Sequence, residues 1–128
     1  MSYYFSKTIE GTFSSAIELI TGALKDAGFG VITEIDMKAT LKNKLDVDFK
    51  NYTILGACNP SLAYQALQKE DKVGLMLPCN VIVQEVAENQ IEIAAVNPLA
   101  SMQAIENTGL KNVAEEVTGK LSAIISSL

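Results

Sequence analysis

Two cysteine–asparagine steps, Cys58-Asn59 and Cys79-Asn80, carry the most pointed chemistry in this 128-residue chain. A thiolate is a nucleophile and a ligand for soft metals. Proline stands close to each step, at Pro60 and Pro78. Cys58 falls just before an expected helix start, where backbone N–H groups and the positive end of the helix dipole favour a thiolate. If a strand end and a neighbouring strand start approach each other, the two thiols form a dithiol. The side-chain amides of Asn59 and Asn80 can then donate to a thiolate, a persulfide or a bound anion. The competing explanation is plain. Free cysteine is among the most buried residue types, and Asn59 and Pro60 are accounted for as a helix cap and a first helical residue. Two thiols alone give a metal two ligands, or one shared between subunits. No structural zinc is expected within one chain, since closed zinc sites take four ligands, while a soft ion such as Cu(I) stays open.

A second set is Glu34 and Asp36, expected on one strand face, with Lys38 two residues further on. Paired carboxylates can do acid–base work or hold a cation. A solvated strand face is the simpler explanation, since surface carboxylates are common. Glu34 and Lys38 are kept as second candidates, for an enzyme of unknown reaction. The chain has no histidine. That removes the usual general base near neutral pH, the usual metal ligand and any Ser-His-Asp arrangement. Gly28-Phe29-Gly30 lacks a third glycine and follows a helix, so it reads as a helix stop and not as a dinucleotide fingerprint.

The elements that must position these residues follow from hydrophobic period and punctuation. Ser2 to Ile9 reads as a strand. Thr12 or Ser14 caps a helix with Phe13, Ile17, Ile20 and Leu24 at helical spacing, and it stops at Ala27-Gly28. Val31 to Met37 is a second strand, with Val31, Thr33, Ile35 and Met37 on one face and Ile32, Glu34 and Asp36 on the other. Met37 to Leu45 is a short helix. Asn51 to Ala57 is a third strand, and Asn59-Pro60 opens a helix through about Lys69. Pro78 places the start of a fourth strand, since proline cannot donate to a ladder. Glu88-Asn89 is a hairpin turn before a fifth strand, Gln90 to Val96. A helical turn follows Asn97-Pro98, from about Leu99 to Ile105. A last helix, about Lys111 to Ser127, sets Val113, Ala114, Val117, Leu121, Ile124, Ile125 and Leu128 on one stripe.

This order predicts an α+β domain over 1–128, with a mainly antiparallel five-stranded sheet covered by helices on one face. A chain of this length can bury roughly two-thirds of its unfolded surface and needs no disulfides. Hydrophobic residues make up 48% and charged residues 20%, which is globular composition. The net charge of −5 argues against nucleic acid as a partner, because phosphate binding calls for a basic patch. No apolar run is long enough to span a membrane. Met1 to Glu10 shows no signal peptide, and two cysteines are too few for a secreted disulfide scaffold, so the cytoplasm is the expected location. The open sheet face or the last helix could support a homodimer.

Three blocks carry a resemblance: Thr33-Glu34-Ile35-Asp36-Met37-Lys38-Ala39-Thr40-Leu41-Lys42, Tyr52-Thr53-Ile54-Leu55-Gly56-Ala57-Cys58-Asn59-Pro60 and Gly74-Leu75-Met76-Leu77-Pro78-Cys79-Asn80-Val81. Their order resembles the family known as domain of unknown function 302, over about residues 28 to 100. The resemblance implies a β-α-β4-α-like fold similar to that of the TATA-binding protein, and a bacterial or archaeal source. It implies no activity or cofactor, and fold likeness does not carry DNA binding with it. Two readings therefore stand. In the first, the chain binds a small ligand, or handles thiol, persulfide or soft metal, through Cys58 and Cys79 with Asn59 and Asn80 as support. In the second, it is a non-catalytic homodimeric interaction domain whose cysteines are structural.

Overall fold

Four of the five helices begin where a short polar side chain accepts from one of the first free backbone N–H groups. In the computed structural model, which describes residues 1–128, Thr12 Oγ1 accepts from Ser15 N at 3.1 Å and opens α1 (Phe13–Asp26). Asp36 Oδ1 accepts from Ala39 N at 2.9 Å and opens α2 (Met37–Leu45). Asn59 Oδ1 accepts from Leu62 N at 3.2 Å and opens α3 (Pro60–Lys69). Asn97 Oδ1 accepts from Leu99 N at 3.1 Å and opens the one-turn α4 (Pro98–Ser101). The longest helix, α5 (Lys111–Ser126), follows a 3-10 turn at Thr108–Leu110.

The strands are β1 (Tyr4–Glu10), β2 (Gly30–Asp36), β3 (Tyr52–Cys58), β4 (Cys79–Ala87) and β5 (Gln90–Val96). They form one sheet in the order β1-β5-β4-β3-β2, and every neighbouring pair is antiparallel. The fold is thus α+β with a five-stranded antiparallel sheet, with helices also inserted between β2, β3 and β4. Val81, Val83, Ile91 and Ile93 are fully buried on the sheet's inner face, and their alternate neighbours Asn80, Ile82, Gln84 and Glu92 are not. Helix α1 packs over β2, β4 and β5, and α5 over β1 and β5. The apolar stripe of α5 is spent in this core: Val113, Ala114, Val117, Leu121, Ile124 and Ile125 are all buried. No helix is long and apolar enough to cross a membrane.

Two expectations are corrected. The alternation along β2 breaks at a bulge between Val31 and Thr33. Val31 stands opposite Ala57 on the inner face, whereas Thr33 stands opposite Gly56 on the outer one, and Met37 is already helical. The inserted residue, Ile32, shifts every later side chain by one face. The helical turn after Asn97 is also shorter than expected, ending at Ser101.

Candidate functional site

Cys58 is the last residue of β3 and Cys79 the first of β4. The register sets Cys79 opposite Ala57, so the two cysteines are one residue out of step across the same pair of strands. Neither is in a disulfide. Both line a cavity of about 350 Å³ at this end of the sheet. Its floor is Phe29, Ala57 and Cys79; α3 contributes Leu62, Ala63 and Ala66; α5 contributes Val113, Ala114 and Val117. Leu77 and Pro78, joined by a cis peptide, pass over another side, together with Met102 beyond α4. Of the 19 lining residues, 15 are hydrophobic and none is charged.

The two thiols differ in surroundings. Cys58 is half-buried. Cys79 is 7% exposed and has no hydrogen-bond partner, and burial pushes its thiol up from 9.0 to about 11, with an ionised Cys58 adding to the effect. At neutral pH Cys79 is therefore a neutral wall residue, and not a thiolate. Asn59 is the one lining residue with an amide side chain. Its Oδ1 is committed to the cap, which fixes the amide and leaves Nδ2 without a partner in the protein. Gly28, at φ 89°, makes room for that amide: a Cβ there would lie 3.3 Å from Nδ2. Gly56, next to Ala57 in β3, serves the same corner. A Cβ on it would overlap Thr33 Oγ1 and lie 2.7 Å from Pro78 Cγ.

The structure thus brings Cys58, Asn59 and Cys79 to one wall. It does not bring Asn80, whose exposed side chain lies on the outer sheet face beside Tyr52 and Ile82. Adjacent residues of a strand point to opposite faces, so Cys79 and Asn80 cannot serve one cavity. Glu34 and Lys38 are exposed, on β2 and in the first turn of α2, outside the cavity lining and with no ion pair between them. Asp36 is occupied as the cap of α2. No group of three Cys, Asp or Glu side chains is placed to hold a metal. Sequence reasoning missed the roof. Ala63 and Ala66 lie one turn apart on α3 and face Ala114 across the space, and their small size is the only sequence signal of the void.

Among known proteins, the model of the family described as "Domain of unknown function DUF302" matches residues 5–128. The crystal structure of the uncharacterized conserved protein DUF302 from Bacillus stearothermophilus is similar throughout, with 25% sequence identity, 98% of each chain covered and a TM-score of 0.89. No curated protein matches.

Proposed function

This chain belongs to the DUF302 family, and within that family we propose that it is a binding module for a small, largely apolar molecule, held in the cavity between β3, β4, α3 and α5. The cavity itself carries this reading. Its volume of about 350 Å³ falls within the range of roughly 300–1,000 Å³ usual for small-molecule sites, which are lined by apolar side chains and a few polar groups. Here the polar groups are the amide of Asn59 and the thiols of Cys58 and Cys79. Burial of Cys79 as a neutral thiol supports a binding wall more than a redox dithiol. No group of three Cys, Asp or Glu side chains stands ready for a metal here. Two free thiols also fit a reducing compartment such as the cytosol.

The test is thermal stability with increasing 1-decanol. A molecule that binds only the native state raises Tm by mass action. The wild type is expected to gain Tm in a saturable way, while the cavity-filling variants Ala63→Leu and Ala66→Leu lose that gain and stay folded. A Tm gain unchanged in both variants would place the alcohol elsewhere and remove the proposal.

The homodimer stands as a second reading, on the outer sheet face. The stripe of α5 is no longer free for it. On the outer face Tyr3, Tyr4 and Tyr52 border an open groove floored by Ile82, Ala94 and Val96. Light scattering of the wild type and of Ile82→Lys tests it: a dimer that Ile82→Lys converts to monomer supports it, and a monomeric wild type ends it.

A further inference from the structure

We propose that Cys58 is an S-acylation site: its thiol accepts an acyl group from an acyl thioester, and the acyl chain occupies the cavity. This inference rests on the apolar-ligand reading and adds to it a covalent attachment and a substrate class.

Three observations lead there. The first is the absence of charge. No lining residue carries a charged side chain, so a fatty acid's carboxylate would enter a wall with no cation to meet it, and an unpaired buried charge is costly. An acyl group joined to sulfur is neutral. The second is the match of polar groups. A thioester presents one carbonyl acceptor, and Asn59 Nδ2 is an unspent donor one residue from Cys58, on an amide whose orientation the helix cap fixes. The third is the division between the thiols. Cys79 is more than nine-tenths buried and lines the same cavity without a hydrogen-bond partner, an unspent weak donor inside the site. Its burial keeps it protonated, so it does not compete as a nucleophile. Cys58 is half-buried at the strand end, where a thioester can reach it while its bulky carrier stays in solvent.

The step balances without an oxidant. The Cys58 sulfur attacks the thioester carbonyl. A carbon–sulfur bond forms to Cys58, the carbon–sulfur bond to the carrier breaks, and the proton from Cys58 ends on the departing carrier thiol. A volume of about 350 Å³ holds roughly ten carbon-sized groups if each takes about the 30 Å³ share of a liquid water. Medium-length chains are therefore the fitting class.

The experiment incubates the full chain with octanoyl-coenzyme A at neutral pH and follows intact mass, then peptide mass and hydroxylamine release. The expected result is one octanoyl group on Cys58, removed by hydroxylamine, absent from Cys58→Ser and retained in Cys79→Ala. Ala66→Leu should slow the reaction at least fivefold. Asn59→Asp keeps a capping oxygen but loses the donor, and it should slow the reaction at least tenfold at unchanged Tm. No adduct, equal labelling of both cysteines, or a rate no faster than that of the urea-unfolded chain overturns the inference. Saturable decanol stabilisation without an adduct defeats acylation alone. Loss of the decanol effect defeats the binding reading beneath it.

Discussion

Two corners of this molecule are built alike and end differently. In each, a strand runs into an asparagine cap and a proline at the first helical position: Cys58-Asn59-Pro60 after β3 and Val96-Asn97-Pro98 after β5. The strands flank β4 on either side and run parallel to each other. The cap backbones coincide, at φ −97°, ψ 104° for Asn59 and φ −95°, ψ 103° for Asn97. At the β5 corner everything polar is spent. Asn97 is 5% exposed; Nδ2 donates to Ser2 O at 2.9 Å, and Oδ1 accepts from Leu99 N and from Thr118 Oγ1 at 3.2 Å. At the β3 corner Asn59 makes the cap bond alone, and a thiol replaces the valine. The same local solution is thus a structural anchor where the N-terminal segment and α5 close over it. Where α3 and α5 stand apart, it becomes the polar edge of a cavity.

The largest test of this contrast is to remove each amide. Asn97→Ala strands three part-buried hydrogen bonds around a buried side chain and should cost about 2–4 kcal/mol, a lost cap of about 1 plus an unsatisfied group of about 1–3. Asn59→Ala should cost only about 1 kcal/mol, the cap alone. Urea denaturation compares the two directly, and equal losses would dissolve the contrast. Alkaline pH sharpens it next. Below about pH 9 both folded and unfolded chains hold the Cys79 proton, and stability is complete. Between 9 and about 11 the unfolded chain releases that proton while the native chain keeps it. Stability should then fall on the order of 2–3 kcal/mol. Tm of the wild type should drop across that window more than Tm of Cys79→Ala, and parallel curves would contradict the burial argument. Cys79→Ser at neutral pH should cost about 1–3 kcal/mol, because a hydroxyl replaces a thiol that has no partner. Cys58→Ser, half-buried, should stay within about 1 kcal/mol. Gly56→Ala, which forces Thr33 and Pro78 apart, should cost about 1–3 kcal/mol. It should also loosen the β3 corner, read as faster alkylation of Cys79.

Much of this was legible from residue order. Asn-Pro steps, Gly28 and the Glu88-Asn89 turn punctuate the chain strongly, and α2, α3, β5 and α5 fall within a residue or so of the expected ranges. The family blocks were legible too, and the family match covers them. The bulge at Ile32 was not. Val31 and Thr33 look like any alternating pair until the register with Ala57 and Gly56 is known. Asn80 shows a different failure. Its repeat of the Cys-Asn step suggests shared duty, yet Cys58-Asn59 turns from strand into helix and both residues line the cavity. Cys79-Asn80 stays in a strand and sends its side chains to opposite faces. The cavity was least legible of all, because it is made by α3 and α5, far apart in sequence, failing to close over alanines.

The contrast between the cavity and the outer sheet face can be read in one experiment, methyl-selective NMR during a titration with 1-decanol. Saturable shifts concentrated at Leu62, Ala66, Val113 and Val117, with Ile82 and Val96 unmoved, are what the binding account predicts. Shifts centred on Ile82 and Val96, or uniform small shifts that never saturate, would contradict it.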